Sequence, residues 1–328
     1  MPNSLLRRFA FNRIGTARED LLVGPGIGED AAVISFGDEV AVISSDPITG
    51  ANINAGWIGV HVACNDIAAT GAAPIGVLVT LLLPPEDAIP ELDRLTAEIH
   101  RAANELGIAI LGGHSEVTVG LTKSIICMTA LGRAPVGGYV TSNGAQIGDE
   151  IIMTKSAAIE GTAILATDFA GELTLGVGSE MVAEGQALFA EISVVPEGTI
   201  AAANGATAMH DITEGGILGA LAELADASKI GFRVRVESIP RRPATDAICG
   251  FFGVDPLALV SSGSLLITAP KERDLVHILM HHGIRATSIG EVTAKDRRLL
   301  LRGKQMPHFA PERDELWRLL EERADFPR

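Results

Sequence analysis

The stretch VGPGIGEDAAVIS, residues 23–35, places two neighbouring carboxylates, Glu29 and Asp30, between a glycine-rich loop and a short apolar run. The run from Ala31 to Ile34 is typical of a strand that is about to enter a core. Carboxylates in front of a buried strand lose hydration, so they need a partner such as a backbone turn, a lysine or a metal ion. The stretch therefore raises the question of what Asp30 binds.

The composition describes a large, aliphatic and acidic chain. Its 328 residues are 47% hydrophobic but only 4% aromatic, and they include 36 glycines, as in many two-domain α/β and α+β enzymes. The formal net charge of −15 indicates that neither nucleic acid nor an anionic membrane is a partner. A nucleotide is compatible with this charge, because Mg²⁺ can join phosphates to carboxylates.

Two further features bear on the compartment. The cysteines Cys64, Cys127 and Cys249 are odd in number and widely spaced, which argues against a disulfide framework or a zinc site. The N-terminal sequence has no apolar segment typical of a signal peptide, and the longest apolar run, IGVLVTLLL, is too short to span a bilayer. We expect a cytoplasmic protein.

Helix and strand patterns interleave in both halves, which predicts two domains, each of α/β or α+β class. We place the boundary within 137–148, which gives one domain over residues 1–145 and a second over residues 146–328. The pattern also predicts an apolar helix over 57–68, a turn at GGHSE (112–116) and an exposed, capped helix in PERDELWRLLEERA (311–324).

Several Asp residues stand in glycine-flanked or apolar settings. Asp46 follows an apolar run at the mouth of a strand, and Asp66 lies inside the apolar helix, where Asp costs helix propensity and hydration. Asp66 is either a ligand or a residue that faces solvent or caps a loop. Asp211, in MHDITEGG, is either a site residue or the N-cap of the following helix.

Two basic candidates have ordinary structural explanations. Lys155 ends a strand, where a lysine is commonly solvated, and His114 lies in the glycine-flanked turn, where a histidine is commonly structural or exposed. The usual signatures of P-loop, dinucleotide, hydrolase and zinc sites are absent. Hard carboxylates at strand and loop ends instead suit Mg²⁺ and the phosphates of a nucleotide.

Eight motifs, taken in order, resemble the AIR synthase-related (PurM-like) superfamily. They run from residue 26 to about residue 267 and read GIGEDAAVI, SSDPITG, CNDIAATGAAP, LGGHSEVT, GDEIIMTK, EGTAILA, HDITEGGILGAL and SSGSLLI. The second half is most similar to the HypE-like members, which act in hydrogenase expression and maturation. The resemblance implies an α/β PurM-like N-terminal domain that binds ATP and forms a homodimer, and an α+β AIR synthase-like C-terminal domain.

The resemblance also implies roles for individual residues, with ATP and Mg²⁺ as cofactors. It makes Asp30, Asp46 and Asp66 metal ligands, and it makes Asp66, Asp211 and His114 catalytic candidates. The cofactor-binding candidates that it implies are Gly26, Gly28, Asp30, Asn65 and Lys155.

Two departures from the family pattern stand out. His114 occupies a position where many relatives carry Asp or Glu, so one carboxylate is missing or displaced to Glu116. The chain ends in RADFPR without the terminal cysteine that carries the reacting group of HypE, so we expect that tail chemistry to be absent.

The resemblance therefore implies a Mg-ATP-dependent enzyme of ligase or phosphotransferase type that activates an amide, thioamide or phosphate oxygen. The acceptor is a small molecule or a protein partner, and its identity stays open. The alternative is a catalytically inactive ATP-binding accessory or regulatory protein in the maturation of a partner.

Overall fold

Two mixed β-sheets organise the chain, of which the computed structural model describes residues 15–16, 18–48 and 53–324. The first sheet has the strand order β1-β2-β3-β6-β4-β5. Neighbouring strands in it are antiparallel, except that β4 and β5 run parallel. Its strands are β1 (Leu21–Val23), β2 (Ala32–Phe36), β3 (Glu39–Ile48), β4 (Ala73–Leu83), β5 (Ala109–Val117) and β6 (Ile125–Pro135).

Two helices accompany this sheet, α1 (Ala55–Ala69) and α2 (Ala88–Leu106). The outer helix, α2, buries a single stripe of apolar residues, as a surface helix does. By contrast, α1 is buried on nearly all sides, because it packs against β3, β6 and α2 and also against a helix of the second domain. Small residues such as Gly56, Gly59 and Ala63 make this close packing possible.

The second sheet has the strand order β13-β12-β9-β11-β7-β10-β8. Its strands are β7 (Glu150–Thr154), β8 (Ala208–Ile212), β9 (Gly231–Arg235), β10 (Ser264–Ala269), β11 (Ala286–Thr293), β12 (Arg297–Leu301) and β13 (Lys304–Pro307). The helices are α3 (Ile159–Asp168), α4 (Ala170–Gly176), α5 (Ser179–Ala187), α6 (Val195–Ala203), α7 (Gly216–Ser228), α8 (Pro243–Phe252), α9 (Leu275–His281) and α10 (Glu315–Ala324).

The two sheets confirm the predicted fold class, an α/β domain followed by an α+β domain. Pro135 ends the first sheet and Glu150 begins the second, and the exact boundary at residue 145 stays a prediction. The domains pack directly on each other through α1 and α6. Gly198 of α6 lies so close to the Ala68 carbonyl that a Cβ there would stand 1.9 Å from its oxygen. Residues of both domains can therefore meet in one cleft.

The prediction of a turn at GGHSE was wrong, because these residues lie within strand β5. Gly112 and Gly113 have φ values of +139° and +145°, which side-chain-bearing residues rarely adopt. A Cβ on Gly113 would stand 1.8 Å from the Val79 carbonyl oxygen on β4. Gly113 therefore permits a close approach of two parallel strands, and the glycine pair does not reverse the chain.

The prediction that residues 311–324 form an exposed helix was partly wrong. A capped helix does form: the Asp314 carboxylate accepts hydrogen bonds from the Leu316 amide (2.8 Å) and from the Gly215 amide (2.7 Å). However, Leu316 and Leu319 are buried in an apolar cluster of the second domain. The helix therefore docks on the domain and brings Trp317 to the edge of a cavity.

Candidate active site between the two domains

A cavity of about 440 Å³ lies between the domains, and each domain supplies half of its lining. Its volume is that of a small-molecule site. The first domain contributes Glu29, Asp30, Ser44, Asp46, Pro47, Ile48, Ile58, Val62 and Asp66, and the second contributes Glu160, Ile164, Asp211, Thr213, Glu214, Val260, Ser262, Leu316 and Trp317.

The glycine loop of the opening stretch carries Asp30 into this cavity. Gly28 has φ +76°, and a Cβ there would stand 2.8 Å from the Glu223 carbonyl oxygen on α7. The loop can therefore lie flat against the second domain only because this residue is glycine. Gly26 and Gly28, predicted to bind cofactor, are not among the residues that line the cavity; their cofactor-binding role stays a prediction.

Asp46 and Asp66 meet in the cavity through Ser44. Asp46 lies within β3, which continues to Ile48 beyond the predicted strand end. The Ser44 hydroxyl lies 2.5 Å from Asp66 Oδ2 and 3.3 Å from Asp46 Oδ2. Asp66 is only 8% exposed, so the solvent-facing alternative is wrong. Burial, followed by the negative charges of Asp211 and Asp46, raises the pKa of Asp66 well above its usual range.

Asp211 reaches the same cavity from the second domain. It lies inside strand β8, and α7 begins at Gly216, so the N-cap alternative is wrong. The carboxylate is buried, and its Oδ2 has no hydrogen-bond partner among the residues that the structure describes. Burial, followed by the charge of Asp30, raises the pKa of Asp211 well above its usual range. A buried carboxylate oxygen without a partner is suited to bind a cation.

The cavity is strongly acidic. Seven of its lining residues are Asp or Glu, and none of the described lining residues is Lys, Arg or His. A polyanion such as a nucleotide could enter only together with cations, because so many carboxylates would otherwise repel it. The donor set, which consists of carboxylate and hydroxyl oxygens, suits Mg²⁺.

Two predicted cofactor-binding residues lie close to the cavity without lining it. Asn65 is fully buried; its amide donates to the Ile192 carbonyl and accepts from the Val194 amide, both at 2.8 Å. The Lys155 side chain is only 13% exposed and its Nζ lies 2.6 Å from Glu197 Oε1, so the solvated alternative is wrong. In this structure both side chains contact protein groups between the domains, and their cofactor role stays a prediction.

His114 lies far from the cavity residues in the fold. It is on β5 at the edge of the first sheet, with an exposed side chain whose Nε2 lies 3.2 Å from Glu116 Oε2. The structure therefore does not bring His114 together with Asp30, Asp46, Asp66 and Asp211 within one chain. Its catalytic role stays a prediction.

Sequence reasoning missed four lining residues, Ser44, Glu160, Glu214 and Trp317. It also missed His210, which does not line the cavity but contacts Asp30. Ser44 and His210 lie within or beside motifs that were recognised, so their neighbours gave a usable signal. Glu160 and Glu214 also lie within recognised motifs, EGTAILA and HDITEGGILGAL, but the sequence does not distinguish such acids from surface acids. The sequence around Trp317 gave no indication of a site, because Trp317 reaches the cavity only through the packing of α10 on the second domain.

Comparison of the sequence with protein-family models identifies the family to which the chain belongs. A model of the AIR synthase related protein N-terminal domain matches residues 28–134, and a model of the corresponding C-terminal domain matches residues 146–300. The chain therefore belongs to the AIR synthase-related family, which confirms the resemblance of the eight motifs.

One relative and two solved structures illustrate which members of the family are similar to this chain. The chain is 30% identical over 282 residues to carbamoyl dehydratase HypE of Rhizobium leguminosarum bv. viciae, covering 82% of this chain and 78% of that protein. A structure of hydrogenase maturation protein HypE in complex with ATP has a TM-score of 0.68 at 23% identity, covering 95% and 93% of the two chains. A HypE–HypF complex has a TM-score of 0.69 at 20% identity, covering 87% and 94%.

Within the described part of the chain, no helix combines the length and the apolar character that crossing a bilayer requires. The three cysteines are free; Cys64 and Cys249 are buried, and burial raises the pKa of each thiol to about 12. None of the three lines the cavity. Cys64 and Cys249 therefore pack as small apolar residues, whereas Cys127 is only half-buried.

Proposed function

We propose that this protein is a Mg-ATP-dependent enzyme that activates an amide, thioamide or phosphate oxygen by phosphoryl transfer. The observation that carries the proposal is the convergence of Asp30, Asp46, Asp66 and Asp211, from both domains, on one acidic cavity. The ATP complex of the similar HypE structure supports the nucleotide.

The four Asp residues fit a magnesium ion. Asp211 offers a buried oxygen that has no hydrogen-bond partner in the described part of the chain, and Asp66 is held in place by the Ser44 hydroxyl. A bound Mg²⁺ would supply the positive charge that neutralises phosphate oxygens. The protein's own contribution is to fix these carboxylates before substrate arrives, so that little reorganisation is needed during transfer.

The other residues of the cavity have distinct proposed tasks. Ile58, Val62, Ile164 and Val260 form apolar walls that exclude water from the transferred group. None of the cysteines reaches the cavity, so the acceptor is proposed to be a separate small molecule or a group on a protein partner. The HypE–HypF complex supports the second of these possibilities.

We further propose that the protein is a homodimer formed through the first sheet. Strand β5 is exposed along its whole length and lies at the sheet edge with apolar side chains such as Ile110 and Leu111. An unpaired apolar edge is a template for another strand. Pairing of two copies here would bury these side chains and place His114 at the interface.

Calorimetric titration of ATP, with and without Mg²⁺, tests the nucleotide site. We expect Mg-dependent binding by the wild type and a loss of it in Asp211→Asn. Asp38→Asn is the matched control, because Asp38 is an exposed turn residue outside the cavity. Absence of binding under both conditions would refute the proposal.

An ADP-release assay separates the enzyme from its alternative, an inactive ATP-binding accessory protein. The exposed His114, at a position where the resemblance expects a carboxylate, favours this alternative. Primary carboxamides, S-carbamoyl thiols and phosphate monoesters would be supplied in turn as acceptors. Stimulation of ADP release by one class identifies an enzyme, whereas binding without release in every case identifies the accessory protein.

A further inference from the structure

One face of the second sheet is covered by helices over only half of its width. At β7, β10 and β8 this face packs against α6 and α9 through Ile152, Ile267 and Met209. Towards β9 and β12 the face is open and forms a groove of about 380 Å³. The groove shares no lining residue with the cavity between the domains, so it is a separate feature of the molecule.

Strand register aligns four charged side chains across this open face. Arg298 on β12 lies beside Arg233 on β9, which lies opposite Glu291 on β11. Glu291 in turn lies opposite Glu150 on β7. Because neighbouring strands are about 4.8 Å apart, this row is about 14 Å long. It is cationic at the β12 end and anionic at the β7 end.

The centre of the row is paired within the protein. Glu291 Oε1 accepts a hydrogen bond from the Arg233 guanidinium at 2.7 Å, and Glu291 Oε2 lies 3.8 Å from Lys271 Nζ. Glu291 thus serves two cations, and it leaves no carboxylate for the charges at either end of the row.

The ends of the row are unpaired. Arg235, which follows Arg233 on the same side of β9, donates to the Ser288 carbonyl (3.3 Å) and to the Ser238 hydroxyl (3.1 Å) but to no carboxylate. Arg298 and Glu150 form no ion pair with any residue that the structure describes. Two guanidinium groups at one end and one carboxylate at the other are therefore free to meet a ligand.

A solvated polar face is the ordinary explanation, since antiparallel sheets commonly expose one side to water. The charge arrangement goes against it in two ways. Glu150 stands directly opposite Glu291, and like charges at such positions destabilise a sheet. The unpaired guanidinium groups also lie together on a chain whose formal net charge is −15.

We propose that this open face binds an extended segment of a partner protein, whose carboxylates meet Arg235 and Arg298 and whose lysine or arginine meets Glu150. About four residues of extended chain cover 14 Å, whereas a single phosphate reaches only one end of the row. Nucleic acid supplies no cation for Glu150 and is repelled by it. The proposal does not depend on the ATP-dependent activity, because the groove lies outside the cavity.

The test measures fluorescence anisotropy of a labelled peptide of about six residues, with two glutamates at one end and a lysine at the other, at low salt. We expect saturable binding that is weakened at least about tenfold in Arg235→Glu/Arg298→Glu. The matched control is Lys123→Glu/Lys229→Glu, which changes net charge equally at two exposed residues outside the groove. The control should change the affinity less than about twofold.

A second comparison tests the anionic end of the row. Glu150→Gln should weaken binding of this peptide by about three- to fivefold and leave an all-glutamate peptide of the same length unaffected. Equal loss for both peptides would overturn the role given to Glu150. If the double variant does not fold, Arg298→Glu alone, which breaks no described ion pair, should still weaken peptide binding.

Three results would overturn the proposal as a whole. The first is no binding of either peptide to the wild type, and the second is equal weakening by the double variant and its control. The third is another occupant: a DNA oligonucleotide that binds this face more tightly than the peptide, or self-association by sedimentation that Arg298→Glu abolishes.

Discussion

Replacing Asp66 by Asn should move stability and ligand binding in opposite directions. The pKa of Asp66 is raised by burial and by the charges of Asp211 and Asp46, so ionised Asp66 destabilises the metal-free protein at neutral pH. The amide is neutral and nearly isosteric. It can still accept the hydrogen bond from the Ser44 hydroxyl and can donate one towards Asp46.

The magnitudes follow from these two contacts. Relief of the buried charge contributes about 1.4 kcal/mol for each unit by which the pKa is raised, whereas the weaker hydrogen bond to Ser44 costs about 1 kcal/mol. We expect the free energy of unfolding to rise by about 1–2 kcal/mol, which for a chain of 328 residues raises Tm by roughly 1.5–3 °C. Loss of one ligand should weaken Mg-ATP binding at least about tenfold, or ~1.4 kcal/mol.

Thermal unfolding without metal at pH 7, together with calorimetric titration of ATP and Mg²⁺, measures both effects. Asp38→Asn, an exposed substitution of the same type, should change neither quantity. A lower Tm with unchanged binding would mean that Asp66 has a structural role only. It would refute the assignment of the cavity as a metal-nucleotide site.

Three other substitutions test separate features of the fold. Lys155→Met should lower the free energy of unfolding by about 3–5 kcal/mol in denaturant titrations, because it leaves Glu197 buried without its cation. If this variant instead loses nucleotide affinity without being destabilised, Lys155 contacts the cofactor directly. Burial raises the pKa of Asp314 to about 6, so the stability that its protonation contributes is present below the ordinary Asp pKa and is lost as pH rises through about 6. Asp314→Asn should therefore reduce the dependence of the unfolding free energy on pH between pH 4 and 7. An unchanged slope would contradict this. Leu111→Lys on the β5 edge should give a folded monomer by light scattering, whereas a monomeric wild type would remove the dimer proposal.

The order of motifs was sufficient to predict the fold class and which four Asp residues share a cavity. Asp30 precedes an apolar run, Asp46 follows one and Asp66 interrupts one, and a carboxylate in such a setting loses hydration unless it has a partner. A carboxylate in such an apolar setting can be recognised from the sequence alone. The position of Asp211 was harder to predict, because a strand residue just before a Thr-x-Gly-Gly turn has the local pattern of a helix cap.

The errors have a common physical cause, which is tertiary contact between distant segments. Paired glycines usually mark a turn, yet Gly112 and Gly113 lie in a strand, and at Gly113 the neighbouring strand β4 passes too close for any side chain. Lys155 ends its strand as predicted, but the distant segment around Glu197 covers it. No local pattern reports which remote segment will cover a given residue.

The placement of Asn65 and Lys155 explains how the two halves of the cavity keep their spacing. Both side chains hold the same segment in front of α6: Lys155 Nζ donates to the carbonyls of Glu191 (3.0 Å) and Ser193 (2.5 Å), while Asn65 bonds Ile192 and Val194. Asn65 directly precedes Asp66 on α1, and Lys155 follows β7 in the sheet that contains β8. This segment therefore links the helix that carries Asp66 to the sheet that carries Asp211. Because carboxylates bind a common ion only within narrow distances, a rigid link of this kind between the domains is as necessary to the site as the ligands themselves.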